Sequence, residues 1–335
     1  MSKTIVALDA MGGDYAPEQT VLGAIQAADA DPDITVKLLG RKEDIEAELK
    51  KTPYKSEQIE IVDCREIIET TDSPVLSIRK KKDSSMVRGF YLLKEGGADA
   101  FVSLGNTGAL LVGGRLITGT IKGIERPALG FVVPSLKGPV MIIDAGANVD
   151  ARPSMLVQFA QMGSLYCENI LKIKDPRVGI INIGEEEEKG NALVRETFPL
   201  LKECRTINFI GSVESRGLTE GEADVVVCDA FVGNTILKMY EGVCAAMISL
   251  IKGTLKKNFK TKMGAALIQK DLKETLAQFS ITEYGGAPML GLKNVVVKTH
   301  GNSKAAEVRN TILQCKDFKE NAIIDKISEI AQGNK

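Results

Sequence analysis

Residues 4–14 read TIVALDAMGGD, a short apolar run that ends in an aspartate, two glycines and a second aspartate. The run from Thr4 to Leu8 is apolar on both faces, which is typical of a strand buried inside a sheet. Asp9 to Asp14 has the glycines and polar side chains of a turn, and a helical pattern follows from residue 17. The start of the chain is therefore predicted to form a strand, a glycine-rich loop and a helix.

The same order of strand, loop and helix recurs along the chain. Strands are predicted at Thr4–Leu8, Thr35–Leu39, Ile59–Val62, Ala100–Val102, Val140–Ile143, Val178–Ile181, Asn208–Ile210, Val225–Val227 and Val295–Val297. Helices are predicted at 17–29, 41–51, 84–96, 107–118, 153–172, 189–203, 232–258, 262–279 and 303–331. No repeat or low-complexity linker divides these elements, so we expect one α/β domain over residues 1–335 with a sheet flanked by helices.

Six of the loops that follow strands share a composition, in which glycine stands beside Asp, Asn, Ser or His. They are Asp9–Asp14, Ser103–Gly108, Asp144–Asp150, Asn182–Glu185, Asp229–Asn234 and His300–Ser303. Glycine lets backbone amides approach a ligand, and the first amides of a following helix are unpaired donors at a positive dipole end. Any one of these loops could be a simple turn. Six of them at the same end of one sheet predict a crevice that binds phosphate or an oxyanion.

Composition and motifs exclude several other classes of site. The chain has 43 basic and 44 acidic residues, so no overall field attracts nucleic acid. Neither GxxxxGK[ST] nor GxGxxG after the first strand occurs, which argues against a P-loop or a dinucleotide site. With one histidine and six cysteines that form no CxxC pair, we expect no metal, no cofactor and buried free thiols. Magnesium held by Asp9, Asp144 or Asp229 is a weaker alternative.

Two polar segments supply candidate catalytic side chains. His300, the only imidazole, lies between a predicted strand and a predicted helix, where it is either structural or a phosphate ligand or proton donor. Four glutamates, at positions 185–188, precede Lys189, and most of that run is expected to be solvated. Lys189 and Asn191 would bring a cation and an amide donor to phosphate near a helix N-terminus.

Residues 235–283 are predicted to be a helical amphipathic region. An apolar stripe recurs at four-residue spacing, at Ile251, Leu255, Phe259, Met263 and Leu267. Six lysines and no acid occur between residues 252 and 270. This pattern is typical of a helix on an anionic membrane surface, and a dimer interface or core packing is the alternative. The first residues contain no export signal and no apolar run is long enough to span a bilayer, so a cytoplasmic location is expected.

Taken together, these motifs resemble the phosphate acyltransferases of bacterial phospholipid synthesis, and the match runs nearly end to end. It is carried by Leu8–Asp14, Ser103–Leu110, Gly123–Ala128, Gly146–Asp150, Gly184–Gly190, Gly233–Lys238 and Lys298–Gly301. The resemblance implies a three-layer α/β/α fold with a large mixed, mostly parallel sheet, similar to isocitrate and isopropylmalate dehydrogenases and to phosphotransacetylases. It also implies a homodimer, association with the membrane periphery and supply of acyl phosphate to a membrane glycerol-3-phosphate acyltransferase.

The reaction implied by the resemblance is attack of inorganic phosphate on the thioester of acyl carrier protein. Phosphate is itself the nucleophile, so no covalent enzyme nucleophile is needed, and the enzyme has to orient substrates and stabilise an oxyanion. Asn106, Thr107 and the amide of Gly108, with Lys189 and His300, are predicted to do so, while Asp9, Asp144 or Asp229 orients groups or exchanges protons. Further predicted substrate-binding residues are Gly12, Gly13, Asp14, Asn148, Asp150, Asn182, Gly184, Gly190, Asn191, Asn234, Asn302 and Ser303.

Three other functions fit the sequence less well. A phosphotransacetylase-like enzyme would have the same fold and use coenzyme A thioesters. A hydroxy-acid dehydrogenase would need an arginine-rich substrate site and magnesium aspartates, which are not evident. A membrane-recruited scaffold would present acyl carrier protein to a partner without chemistry of its own. For the acidic carrier protein, the basic cluster Arg79–Lys82 is a candidate docking surface.

Overall fold

The computed structural model describes residues 3–277 and 284–333. Within these residues the backbone forms one 11-stranded sheet of order β3-β2-β1-β4-β11-β10-β5-β6-β9-β7-β8. The strands are β1 (Thr4–Asp9), β2 (Ile34–Gly40), β3 (Ile59–Asp63), β4 (Ala100–Ser103), β5 (Ala128–Ser135), β6 (Gly138–Ile143), β7 (Arg177–Asn182), β8 (Asn208–Glu214), β9 (Val225–Val227), β10 (Ala287–Leu290) and β11 (Val295–Lys298). All nine predicted strands are present, and β5 and β10 were not predicted.

The central strands reverse the direction of the sheet. Pairing is parallel from β3 to β11 and again from β6 to β8, but the three pairs β11–β10, β10–β5 and β5–β6 are antiparallel. The strands of the two parallel halves therefore run in opposite directions. The prediction that all six loops leave the same end of the sheet is wrong, because it overlooked the two strands that cause this reversal.

The carboxyl ends of the two halves nevertheless meet at the centre of the sheet. Lys298, the last residue of β11, pairs with Ala287, the first residue of β10. Across β10, Met289 pairs with Leu129, and Phe131 of β5 pairs with Ile142, one residue before β6 ends. Parallel halves that face each other in this way bring the loops after β4, β11 and β6 to a common crevice.

Helices cover both faces of the sheet and define three layers, as the sequence predicted. Alternate residues of β1 feed two separate apolar cores, Val6 and Leu8 on one face and Ala7 on the other. The first core is closed by α1 (Glu18–Ala30), α2 (Lys42–Leu49), α6 (Pro153–Asn169), α7 (Ala192–Glu203), α11 (Ala305–Glu320) and α12 (Ile323–Ala331). The second is closed by α3 (Pro74–Lys80), α4 (Ser85–Lys94), α5 (Thr107–Gly113), α8 (Gly217–Glu220) and the base of α9 (Ala230–Lys256).

Several helix boundaries differ from the prediction. The continuous helix predicted at 303–331 is two helices, because Ala322 takes a left-handed conformation with φ of 48° between α11 and α12. The predicted helix 107–118 is α-helical only to Gly113 and ends in a π-helical turn over Gly114–Thr118. The short helices α3 and α8 were not predicted. Cys204 and Cys244 are free but only half-buried, whereas the other four cysteines are buried as expected.

Helices α9 and α10 (Phe259–Ala277) pack against each other as a helical hairpin, and only the first turns of α9 are buried against the rest of the fold. Of the 27 residues of α9, only Ala230, Gly233 and Leu237 are buried, all in its first turns. The predicted amphipathic region 235–283 corresponds to this hairpin, and its last residues, 278–283, lie outside the described part of the chain, as do 278 and 279 of the predicted helix 262–279. No helix within residues 3–277 and 284–333 combines the length and apolarity that crossing a membrane requires.

Candidate active site

The crevice where the two halves meet contains a cavity of about 350 Å³. Its lining comes from four of the six predicted loops: Thr107 after β4, Gly146 after β6, Asn234 at the start of α9, and Thr299 to Gly301 after β11. Apolar side chains also line it, namely Leu129, Phe131, Ala145, Leu237 and Ala287. Lys238, Lys298 and His300 are the titratable side chains of the lining, and no carboxylate of the described residues belongs to it. Such a cavity suits a ligand with an anionic end and an apolar end.

A second cavity, of about 220 Å³, lies beside the first and shares part of its wall. Phe131, Lys298, Thr299 and His300 line both. The second cavity also includes two carboxylates, Glu241 of α9 and Glu307 of α11, and the predicted residues Asn302 and Ser303. The segment Lys298–His300 therefore separates a cationic cavity from one that contains acids.

His300 is positioned by two contacts. Its Nε2 lies 3.0 Å from Oε1 of Glu241, and its ring meets the ring of Phe131 edge to face, with 5.3 Å between the centroids. The side chain is 46% exposed, so it is accessible from the crevice. A carboxylate that contacts an imidazole nitrogen fixes the orientation of the ring. The geometry places His300 where it could donate a proton to a group in either cavity.

Lys298 is a candidate residue that the sequence reasoning did not single out. It ends the strand Val-Val-Val-Lys and is only 9% exposed. Its Nζ donates to the carbonyl oxygen of Leu104 at 3.2 Å and to that of Thr299. Burial lowers the pKa of Lys298 to about 8, against the opposing effect of Asp9 and Asp14. The available signal was a lysine that ends an otherwise apolar strand in the Lys298–Gly301 motif.

Asp9 and Ser103 are polar residues at the ends of β1 and β4, the two strands that follow β11 in the sheet. Ser103 pairs with Lys298 across β4 and β11, and its Oγ donates to Oδ2 of Asp9 at 2.8 Å. Both side chains are buried, and burial raises the pKa of Asp9 although hydrogen bonds from Ser85, Ser103 and the amides of Met11 and Gly12 oppose the shift. Asp9 is not among the residues that line the two cavities, and its carboxylate holds the loop after β1 by accepting from the amide of Met11.

The loop after β1 is packed tightly against the crevice. The amide of Asp14 donates to the carbonyl oxygen of Gly301 at 2.7 Å. Gly13 has φ of 102°, and a Cβ there would lie 2.9 Å from that same oxygen. A Cβ on Gly12 would lie 2.7 Å from Oδ2 of Asp9. These glycines let two loops touch, and they are not among the residues that line the cavities.

The loop after β6 is organised around the carboxylate of Asp144, which is fully buried. Its Oδ1 accepts from the amides of Leu129, Gly146 and Ala147, and its Oδ2 accepts from the amide and the side-chain nitrogen of Asn148 at 2.7 Å each. Burial raises the pKa of Asp144 against these hydrogen bonds. Three consecutive loop amides are thus directed at Asp144 itself, and they are not free to bind a ligand.

Asn148 and Asp150 lead to a different cavity from the one that Gly146 lines. Asn148 also donates to the carbonyl oxygen of Pro127 at 2.8 Å. Together with Arg126, Arg152 and Met155, Asn148 and Asp150 line a cavity of about 450 Å³. The predicted group of substrate-binding residues is therefore divided between separate cavities.

The loop after β9 becomes the first turn of α9. Oδ1 of Asp229 caps the helix by accepting from the amide of Val232 at 2.9 Å. Gly233 allows the helix to approach the loop after β6, since a Cβ there would lie 2.0 Å from the carbonyl oxygen of Asp144. Asn234 and Lys238 follow on the exposed side and line the larger cavity. Asp229 thus fixes the helix that carries crevice residues.

Two further predicted sites are held by contacts of their own. Asn106 caps α5 through Ala109, and its Nδ2 donates to the carbonyl oxygens of Glu69, Thr70 and Asp72, so its side chain ties two segments together. Its neighbour Thr107 lines the larger cavity, whereas Gly108 packs against Pro74, whose Cγ would lie 2.7 Å from an added Cβ.

The segment 182–191 follows β7, which lies beyond β9 in the sheet. Lys189 is 48% exposed and pairs with Glu186 at 2.8 Å, a contact that raises the pKa of the lysine. Asn182 donates to the carbonyl oxygen of Lys189, and Asn191 caps α7. Gly184 and Gly190 pack within this segment, against Lys189 and Asn182. None of these five residues lines the two cavities around His300.

Among the residues that the structure describes, no group of three or more His, Cys, Asp or Glu side chains is arranged to hold a metal ion. The donor set of the larger cavity consists of lysine nitrogens, an imidazole, two threonines and an asparagine. Ammonium groups repel a cation and attract an anion, so this set suits phosphate.

Comparison with solved structures defines the class of fold. A phosphotransacetylase from Streptococcus pyogenes superposes with a TM-score of 0.62 at 16% identity, covering 95% of this chain and 94% of the other. A 4-hydroxythreonine-4-phosphate dehydrogenase from Klebsiella pneumoniae gives a TM-score of 0.52 at 13% identity, with 94% and 99% coverage. The architecture is that of the phosphotransacetylases and related dehydrogenases, as expected.

Sequence comparison identifies the family within this class. The family model described as fatty acid synthesis protein matches residues 4–326. The phosphate acyltransferase of Clostridium kluyveri is 49% identical over 323 residues, which is 96% of each chain, and that of Alkaliphilus oremlandii is 49% identical over 324 residues, covering 97% of this chain and 96% of its own. The chain belongs to this family, the phosphate acyltransferases.

Proposed function

We propose that the chain transfers the acyl group of acyl-[acyl carrier protein] to inorganic phosphate and releases acyl phosphate for acylation of glycerol 3-phosphate. The observation that carries this proposal is the larger cavity, whose lining combines lysine and histidine nitrogens with apolar side chains. The cationic groups suit phosphate, and the apolar side chains suit the acyl chain beside its thioester. Membership of the phosphate acyltransferase family supports the same acceptor.

The reaction needs no covalent intermediate on the protein. An oxygen of HPO₄²⁻ attacks the thioester carbonyl carbon, and a carbon–oxygen bond forms while negative charge collects on the carbonyl oxygen. The carbon–sulfur bond then breaks, and the proton lost by phosphate ends on the thiolate of the carrier. The enzyme has to align two substrates and stabilise a transient oxyanion, which positioned cations and donors can do.

We assign the protonation of the leaving thiolate to His300. Its place in the wall of both cavities allows it to reach the scissile bond, and Glu241 holds the imidazole from the side of α9. Thr107 and Asn234 offer neutral donors to the phosphate or the oxyanion. Lys189, predicted as a further cation, remains a candidate for contact with a substrate that extends beyond the cavities.

The acyl donor is the part of the proposal that most needs a direct test. The exposed Arg79, Lys80 and Lys82 lie at and just after the end of α3. The other end of α3 begins at Pro74, which contacts Gly108 beside the crevice. An acidic carrier protein docked there would have its thioester near the larger cavity.

The test is to incubate purified protein and phosphate with palmitoyl carrier protein or with palmitoyl-coenzyme A, and to measure acyl phosphate. We expect faster acyl phosphate formation with the carrier protein. Equal or greater rates with coenzyme A would indicate a phosphotransacetylase-like donor instead. Absence of acyl phosphate with both donors would refute the proposed reaction.

We further propose that the hairpin of α9 and α10 gives the protein both a homodimer contact and a site on the membrane surface. In α9, Met239, Val243, Met247 and Leu250 are all at least 47% exposed and recur at helical spacing. In α10, Phe259, Met263 and Leu267 are 76%, 55% and 85% exposed. Exposed apolar side chains in such a row favour an interface.

The two rows differ in charge, which supports different partners for them. Between Met239 and Leu250 the only charged residue is Glu241, as expected for a contact between protein chains. The row on α10 stands among Lys260, Lys262 and Lys270, as expected for an anionic lipid surface. Ile251 and Leu255 were predicted to belong to the membrane row. They are half-buried near the end of α9, which ends at Lys256 before α10 begins at Phe259.

A further inference from the structure

Lys298 presents a buried ammonium group without a carboxylate partner among the described residues. The nearest hydrogen-bond acceptors of its Nζ are two carbonyl oxygens, from Leu104 and Thr299. An ammonium group has three donors, so one remains for a ligand. Burying a cation is unfavourable unless an opposite charge or several acceptors compensate it. An anion bound in the crevice would supply that compensation.

The acids near Lys298 do not fill this role. Oδ2 of Asp9 accepts from Ser103, and burial raises the pKa of Asp9, which favours its neutral form. Asp14 acts on Lys298 through its charge, but it is exposed to solvent, which weakens its field. The lysine therefore carries a charge that its protein neighbours balance only in part.

The position of Lys298 makes it available to a substrate in the crevice. It ends β11 at the level where the two halves of the sheet meet, and it lines both cavities. Because no carboxylate of the described residues lines the larger cavity, an anion that enters it meets no negative charge in the lining that would repel it.

We propose that Lys298 binds the phosphate nucleophile directly, through the ammonium donor that its two carbonyl partners leave unused. The ammonium group attracts the dianion. It also stabilises the negative charge that develops as phosphate attacks the thioester. This inference rests on the proposed function, since it concerns the phosphate of that reaction.

Phosphate affinity should then depend on the charge of Lys298. The cation is present below pH 8 and is lost as the pH rises through about 8, the pKa that burial gives this side chain. Other titratable groups face the same space, namely Asp9 and Asp14 after β1, Lys238 and Glu241 on α9, His300, and Glu307 on α11. Lys298→Arg leaves all of these groups in place. It also keeps a positive charge at position 298, and this charge is not lost as the pH rises through about 8.

The experiment measures binding of inorganic phosphate by calorimetry, and the KM for phosphate and for the acyl donor. Lys298→Met should weaken phosphate binding and raise the KM for phosphate by roughly tenfold or more, with a smaller change in the KM for the donor. Lys37→Met is the matched control, because Lys37 is a largely buried lysine of β2 in the same sheet that pairs with Glu60 at 3.4 Å. Its phosphate constants should match those of the unmodified protein.

A pH series on the unmodified protein tests the inference without any substitution. Between pH 8 and 10 its phosphate affinity should fall, whereas Lys298→Arg, if it binds phosphate, should lose less. Unchanged affinity over this range, or a normal KM for phosphate in folded Lys298→Met, would overturn the inference. If the protein binds phosphate through Lys298 but forms no acyl phosphate, the site is supported and the proposed reaction is the part that fails.

Discussion

Aspartates in glycine-rich loops have two roles that a sequence does not distinguish. Asp9, Asp144 and Asp229 were predicted together as groups that orient substrates or exchange protons. In the structure each accepts hydrogen bonds from its own loop or a neighbouring strand, and Asp144 accepts five. The same spacing of Asp and Gly occurs in a loop whose amides bind an anion and in a loop whose amides bind the carboxylate of its own aspartate. Only distances between atoms separate these cases.

Asp144→Asn should destabilise the protein by about 2 kcal/mol or more, because an amide nitrogen would then face backbone donors that now have an acceptor. The free energy of unfolding in urea measures this change. Asp150→Asn is the control, since Asp150 is exposed in the same loop and its replacement should change stability by less than about 0.5 kcal/mol. Equal stability of the two variants would contradict the role given to the Asp144 carboxylate.

His300 and Lys189 were predicted as equal partners, and the structure separates them. Replacing either by alanine should lower acyl phosphate formation by roughly tenfold or more where the side chain contacts the substrates. That expectation stands for His300, which lines both cavities, and for Lys189 it requires a substrate that reaches beyond them. Measured kcat/KM for His300→Ala and Lys189→Ala will separate the two cases. Wild-type values in His300→Ala would remove it from the site.

Elements were predictable where their apolar pattern was uninterrupted, and the missed strands show why. The pattern of β5 contains Gly130 and Pro134, and β10 has only four residues, one of which is Pro288. Proline lacks the amide donor of a central strand, so local pattern argues against both assignments. These two strands reverse the sheet, and the direction of half the molecule could not be inferred without them. The helix predicted at 303–331 failed for a similar local reason, the left-handed Ala322.

The approach of α9 to the loop after β6 gives a test at this scale. Gly233→Ala should destabilise the protein by about 1–3 kcal/mol or more and lower activity, because its Cβ would lie 2.0 Å from a backbone oxygen that cannot move aside. Gly242→Ala, in the same helix with nothing within 4 Å of the added Cβ, should stabilise the helix by about 0.5–1 kcal/mol. Thermal unfolding and acyl phosphate formation measure both. Similar losses in both variants would point to a general effect of alanine in α9 and against the close approach.

At the scale of the whole molecule, the crevice and the hairpin are continuous through α9. The first turns of this helix line the larger cavity with Asn234 and Lys238, and Glu241 holds His300 one turn later. The same helix then carries the exposed row that ends at Leu250. A partner bound to that row would contact the element that positions His300. The sequence indicated an amphipathic region here, but it did not indicate that the region begins at the site.

This connection predicts that the two rows of the hairpin can be disabled separately. Val243→Glu with Met247→Glu places charge in the row on α9, which should convert a dimer into monomers in light scattering while binding to phosphatidylglycerol vesicles is weakened but retained. Phe259→Glu with Leu267→Glu should abolish vesicle flotation and leave both the dimer and turnover in solution intact. If the second pair also lost turnover, turnover would depend on the hairpin, as expected of a membrane-recruited scaffold that presents the carrier protein to a partner. If either pair removed both dimer and vesicle binding, a single interface would serve both partners, and the division of the hairpin by charge would be wrong.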